Sequence, residues 1–113
     1  MNPYYIPGMI RKLTASQVED IVCQVFEADV EQVRTRTRRQ EVVMVRQTVM
    51  YALLKIGFKT CEVAGMYDMN HATAVHARKK IKILKEVRDK YYAPKIEQVE
   101  SIIYPAVKAE TRN

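Results

Sequence analysis

Asp68-Met-Asn-His-Ala-Thr-Ala-Val-His-Ala-Arg-Lys-Lys-Ile81 is the stretch on which the fold turns. Asp68 and Met69 read as a tight turn. Asn70 reads as a helix cap, because its side-chain oxygen can accept an orphan amide of the first turn. Ala74, Ala77, Ile81, Leu84 and Val87 recur at helical spacing and predict a buried stripe running to about Lys90. The rest of that helix is small and polar at its start (Asn70, His71, Ala72, Thr73) and cationic further on (Arg78, Lys79, Lys80, Lys82). Upstream, 61–67 reads as a short helix capped by Thr60, with Val63 and Ala64 inward. A short helix, a tight turn and a longer second helix make a helix-turn-helix pattern.

Outward from this core motif, every periodic segment has a helical period. Val18, Ile21, Val22, Val25 and Phe26 form one apolar stripe. Thr14 or Ser16 can cap it, and Ser16-x-x-Glu19 fits a capping box. Asp29 can cap a short turn of helix through Val33. Arg-Thr-Arg-Thr-Arg-Arg at 34–39 has no apolar member and reads as a basic loop. A long helix follows over 40–56 with Val42, Val45, Val49, Met50, Leu53 and Leu54 inward, and Gly57 closes it. Pro94 suits the first turn of a last helix carrying Ile96, Val99, Ile102 and Ile103, which Pro105 should end or kink. No stretch alternates as a strand would. The expected fold is an all-α helical bundle containing a helix-turn-helix, with an extra C-terminal helix. Its divisions are an N-terminal arm at 1–13, the domain at 14–90, and a helix and tail at 91–113 that pack on or extend it.

A chain of 113 residues has room for one domain with one modest core. No run of 18 uncharged apolar residues occurs, and Met1-Asn-Pro-Tyr-Tyr-Ile-Pro lacks the basic start and apolar segment of a signal peptide. The expectation is a cytoplasmic protein with no membrane partner. Cys23 and Cys61 form no CxxC and read as reduced, buried packing residues. His71 and His76 are five apart, so they do not share a helix face as a metal pair would. His76 reads as a partly buried packing residue, and Tyr4-Tyr5 and Tyr91-Tyr92 as staples for the chain ends. With no catalytic spacing of Ser, His, Asp or Cys, no enzyme, metal or cofactor is expected.

The net charge of +6 is unevenly spread. Residues 34–46 hold five arginines against one glutamate, residues 78–90 seven cations against two acids, and residues 16–33 five acids and no cation. Segregation of this kind favours a polyanionic partner. A helix with a slim polar tip and cations behind it suits the major groove of double-stranded DNA, since Asn can pair with adenine and Thr can bond a base or touch a thymine methyl. The competing class is a helical adaptor whose basic face docks an acidic partner; such a protein has no need of a narrow polar helix end.

Val63-Ala-Gly, Asn70-His-Ala-Thr-Ala-Val75, His76-Ala77 and Lys79-Lys80-Ile81, together with Val45-Arg-Gln-Thr-Val-Met50 behind the basic loop, resemble the C-terminal DNA-binding domain of the bacterial replication initiator DnaA. The resemblance covers about 14–87. It implies that Arg46 enters the minor groove and that Asn70, His71 and Thr73 read bases in the major groove. It further implies that Arg36, Arg38 and Lys79 or Lys80 hold phosphates, and Arg34, Arg39 and Arg78 are expected to join them. This chain departs from the family pattern at Met69, at Asn70 where the family has Asp, and at Ala72 where it has Thr. Its turn is also a residue shorter and lacks the family's glycines. Those changes touch sequence reading and leave the scaffold, so the expected target differs from the initiator's own box. There is no GxxxxGK[ST] and no room for an ATPase domain. The expectation is a stand-alone DNA-binding protein from a bacterium or phage, a regulator or a replication accessory factor. Its arm and last helix either cover the core or pair two chains as a weak homodimer.

Overall fold

The computed structural model describes the backbone of residues 13–111 and the side chains of residues 13–104. Tyr4-Tyr5 and the rest of the arm lie outside the described residues. The expected all-α bundle holds: α1 (Ala15–Phe26), α2 (Val30–Val33), α3 (Gln40–Lys55), α4 (Thr60–Met66), α5 (His71–Glu86) and α6 (Tyr92–Thr111), with no strand among the described residues.

Local chemistry sets most of the boundaries. Thr14, not Ser16, caps α1: its hydroxyl accepts from the Gln17 N–H at 3.1 Å and the Gln17 side chain accepts from the Thr14 N–H at 2.8 Å. The Ser16–Glu19 box does not form, because Glu19 turns into the interior. α1 stops at Glu27, a left-handed residue at φ 55°. Asp29 caps α2 through the Glu31 N–H, as its spacing predicts. Thr60 is the first residue of α4, not its cap; the Glu62 carboxylate reaches back to the Lys59 N–H at 2.8 Å instead.

Helix α3 is the centre of the molecule and packs against every other helix. Besides the predicted stripe, it buries Met44, Arg46, Thr48, Tyr51 and Ala52. A helix enclosed this widely shows no clean two-faced pattern, so its sequence marks only part of what it buries. Thr48 is tolerated inside because its hydroxyl donates to the Met44 carbonyl one turn back, at 2.8 Å.

The main core joins Val18, Val22, Val33, Val49, Leu53, Val63, Ala74 and Ala77, with Val99 and Ile103 from α6. A second cluster, Met44, Tyr51, Ile81 and Ile96, fills the space between α3, α5 and α6. The predicted stripe of α5 holds through Ile81, but Val87 is 67% exposed and the helix ends at Glu86, short of Lys90. The cause is local. Arg88 adopts φ 56°, and the Asp89 carboxylate accepts from the Tyr91 and Tyr92 N–H groups at 3.1 and 2.8 Å, which starts α6.

Pro94 stands in the first turn of α6 as expected. Pro105 does not end that helix, which runs on to Thr111. Proline's fixed φ is itself helical, so the chain can continue with one amide bond lost. Ile102, predicted inward, is 44% exposed. Tyr92 is half-buried beside Phe26, with ring centroids 6.4 Å apart, whereas Tyr91 is exposed. Cys23 is buried, but Cys61 is exposed on the outer side of α4, against expectation. No helix is long and apolar enough to cross a membrane among the described residues.

Candidate nucleic-acid interface

Tyr67–Asn70 makes the corner between α4 and α5. Asp68 takes the left-handed backbone at φ 55° that a glycine would adopt freely, and the Met69 N–H closes the turn on the Ala64 carbonyl at 2.9 Å. Asn70 Oδ1 then accepts from the Thr73 N–H at 3.2 Å, and the Thr73 hydroxyl lies 3.4 Å from the same oxygen. The Asn70 oxygen is thus engaged as a cap, and its amide NH₂ is the part that faces outward chemistry. His71, Ala72 and Thr73 are exposed around it, so the tip is polar, narrow and accessible. His76 is exposed as well, contrary to the expected packing role.

The basic loop at 34–39 is held from below. Arg46 is 5% exposed, and its guanidinium donates from Nε to the Val33 carbonyl at 3.0 Å and from Nη2 to the Thr35 carbonyl at 2.7 Å. It also lies 5.9 Å from the centroid of the Tyr67 ring. Here the side chain is committed to loop backbone that would otherwise lack partners. Sequence reasoning missed this because an arginine is normally an exterior residue.

Glu19 is the hub of the same layer. It is fully buried; its carboxylate accepts from Arg34 Nε and Nη2 at 3.0 and 2.6 Å and from the Tyr67 hydroxyl at 2.6 Å. The hydrogen bond to Glu19 raises the pKa of Arg34 further above its ordinary value, and burial with the bond to Glu19 pushes the Tyr67 hydroxyl up strongly. Burial pulls Arg46 down from its ordinary value, though it stays a cation in a site lined by carbonyls. The only hint in the sequence is the position of Glu19 beside Val18, next to the apolar stripe.

The other loop arginines differ in use. Arg36 bridges to the helix-turn-helix corner, donating to the Asp68 carboxylate at 3.0 Å and near its carbonyl at 3.4 Å. Both side chains are highly exposed, so the pair is weak and exchangeable for another anion. Arg39 pairs with Glu41 at 2.9 Å in a similarly exposed setting. Arg38 is exposed on the loop. The structure therefore brings the loop and the α5 tip side by side through Arg36 and Asp68. Arg78 and Lys79 are exposed further along α5, and Lys80 is half-buried.

A sequence profile described as the bacterial DnaA protein helix-turn-helix matches residues 15–81. The chain belongs to the DnaA helix-turn-helix family. The match opens with α1 and closes within α5, so α6 lies beyond it. Among curated relatives, the chromosomal replication initiator protein DnaA of Bacteroides thetaiotaomicron is 30% identical over 95 residues, covering 82% of this chain and 20% of the relative. The protein of the same name from Bacteroides fragilis matches to the same extent. That of Porphyromonas gingivalis is 31% identical over 68 residues, 58% of this chain and 14% of the relative. The chain spans about a fifth of the length of the first two relatives.

Proposed function

We propose that this chain binds double-stranded DNA with the tip of α5 in the major groove and the basic loop against the neighbouring minor groove. The observation that carries this reading is the 3.0 Å contact between Arg36 and Asp68, which sets an arginine-rich loop beside a narrow polar helix end. Family membership supports it: an initiator of replication must engage DNA, and the matched region is the helix-turn-helix. His71 and Thr73 are the base-reading side chains, with the Asn70 amide as a donor beside them. Arg38 is the loop cation free to enter a narrow, electronegative groove. Arg36 and Arg39 exchange their exposed carboxylates for phosphates, and Arg78, Lys79 and Lys80 hold the strand flanking the tip. Arg34 and Arg46 are positioning residues, which fix the loop from within. The protein acts as a DNA-binding regulator or replication accessory factor.

Selection of bound duplexes from a random pool, followed by anisotropy titration of the enriched duplex, tests the reading. Affinity should fall steeply with salt. His71→Ala or Thr73→Ala should relax the preference for the enriched sequence, and Arg38→Ala should weaken binding by about 1–3 kcal/mol if it fills a groove. Absence of duplex binding at low salt would sink the proposal. Tighter binding of an acidic protein than of any duplex would move the chain to the adaptor class.

A further inference from the structure

Beside the tip and loop there is a second basic surface. The C-terminal halves of α3 and α5 enclose a shallow cleft of about 450 Å³, walled by Lys55, Arg78, Lys79, Lys82 and Lys85 with one carboxylate, Glu86. Lys85 is held in that wall by Glu100, whose carboxylate lies 2.8 and 2.9 Å from its ammonium and also accepts from the Tyr51 hydroxyl. Lys55, Arg78, Lys79 and Lys82 are exposed and enter no ion pair among the described residues. Lys55 lies 6.0 Å from the centroid of the Tyr51 ring and Glu86 offsets one charge, but five cations against one carboxylate leave the cleft strongly positive, which favours an anion there. The one aromatic in the wall, Tyr51, is 3% exposed, so the cleft offers charge and no apolar pocket for a partner's side chain.

Arg78 and Lys79, at the near end of the cleft, also flank the duplex at the tip, whereas Lys55 and Lys82 at its far end lie beyond that groove. His71, Arg78 and Lys82 stand on one flank of α5, at i, i+7 and i+11. At 1.5 Å per residue, Lys82 is about 16 Å along the axis from His71 and Arg78 about 10 Å, whereas a major groove is about 8.5 Å deep. With α5 entering the groove end-first, as the proposed function has it, and His71 at the floor, Arg78 meets phosphates at the rim and Lys82 stands clear of that duplex. Lys55 faces it from α3.

We propose that the α3–α5 cleft is a second phosphate-backbone seat, taken by a second DNA duplex, so that one chain can hold two duplexes together. This rests on the DNA-binding reading above and adds a site that the reading does not require.

A bridging assay tests it. One duplex is fixed to beads and a second, labelled duplex is offered with and without protein at about 50 mM salt, where phosphate contacts are strong. Wild type should retain the labelled duplex. The variant Lys55→Gln/Lys82→Gln should bind a single duplex within about twofold of wild type at the same salt, because neither side chain reaches the read groove. It should lose bridging. Both residues are exposed, so circular dichroism should be unchanged. If the double variant still bridges, pairing of two chains through another face is the cause and the cleft assignment is overturned. If wild type binds one duplex and never retains a second, the proposal also fails while the DNA-binding reading stands. Capture of a labelled polyglutamate peptide in place of a second duplex would assign the cleft to an acidic protein. Failure to bind even the fixed duplex would remove the underlying reading itself.

Discussion

Glu19 carries more of this structure than any residue of its kind is expected to. A glutamate with no exposed surface is stable only when its charge is met, and here a guanidinium and a phenol meet both oxygens. Arg34 is half-exposed and can be rehydrated, so the loss on truncation falls mostly on the stranded Tyr67 hydroxyl and the loosened loop. Glu19→Ala should therefore destabilise the fold by about 2–3 kcal/mol, read from the urea midpoint. A midpoint within error of wild type would show that the network is ornamental. The two cysteines give a second check. Burial is the main cause that pushes the Cys23 thiol up to about 11, while Cys61 is exposed, so a disulfide-exchange reagent at pH 8 should titrate one thiol quickly and the other only on unfolding. Two equally fast thiols would contradict the packing of α1. At this scale the sequence is least legible. Composition places charges outside and cysteines inside; Glu19 and Arg46 break that rule through partners more than ten residues away, and Cys61 breaks it by lying exposed on α4.

Helices and their ends read much better, because capping chemistry is local. The corner between α4 and α5, the Asp29 and Asn70 caps, Gly57 and Pro94 all follow from residues within a turn of each other. Asn70→Ala should cost about 1 kcal/mol of stability, and Asn70→Asp should cost nothing, since a carboxylate caps as well and suits a helix N-terminus. Thermal denaturation of the two variants separates the cap from any DNA contact, which appears only in binding. An Asn70→Ala protein as stable as wild type would remove the cap argument. The misread ends have the same explanation in reverse. α5 stops early because Asp89 claims the following amides, and α6 outlasts Pro105; in neither case does apolar spacing carry the signal.

Across the molecule, α6 is fastened to the family core by a polar cluster at Glu100 and by a longer bond from Lys95 Nζ to the Val25 carbonyl at 3.4 Å. Glu100 accepts from Tyr51 at 2.5 Å and from Lys85, with the Tyr104 hydroxyl 3.3 Å away. Burial, then the bond to Glu100, pushes Tyr51 from 10.0 up to about 12, and burial drives Tyr104 up as well. A proton held more tightly in the folded than in the unfolded chain stabilises fully below the unfolded pKa and ceases to do so as pH passes the folded one. The Tyr51 share of stability should therefore be level to about pH 10 and fall by about 2–3 kcal/mol towards pH 12, on top of a fall that the raised Cys23 thiol starts near pH 9. Tyr51→Phe should flatten part of that slope in urea melts taken along the pH series; an unchanged slope would mean that the latch is not what titrates. The all-α architecture was legible from periodicity throughout, but the burial of α3 on so many sides was not, since it depends on how five other helices gather round it. That arrangement has an evolutionary corollary. Everything α3 touches is under packing constraint, whereas His71, Ala72 and Thr73 are exposed at the α5 tip and belong to neither core cluster. Mutations at those three positions should have little folding cost, so under the proposed DNA-reading role a lineage can retarget this domain one base at a time without passing through an unfolded ancestor. Position 70 is the exception, tethered by its cap to a short alphabet of side chains.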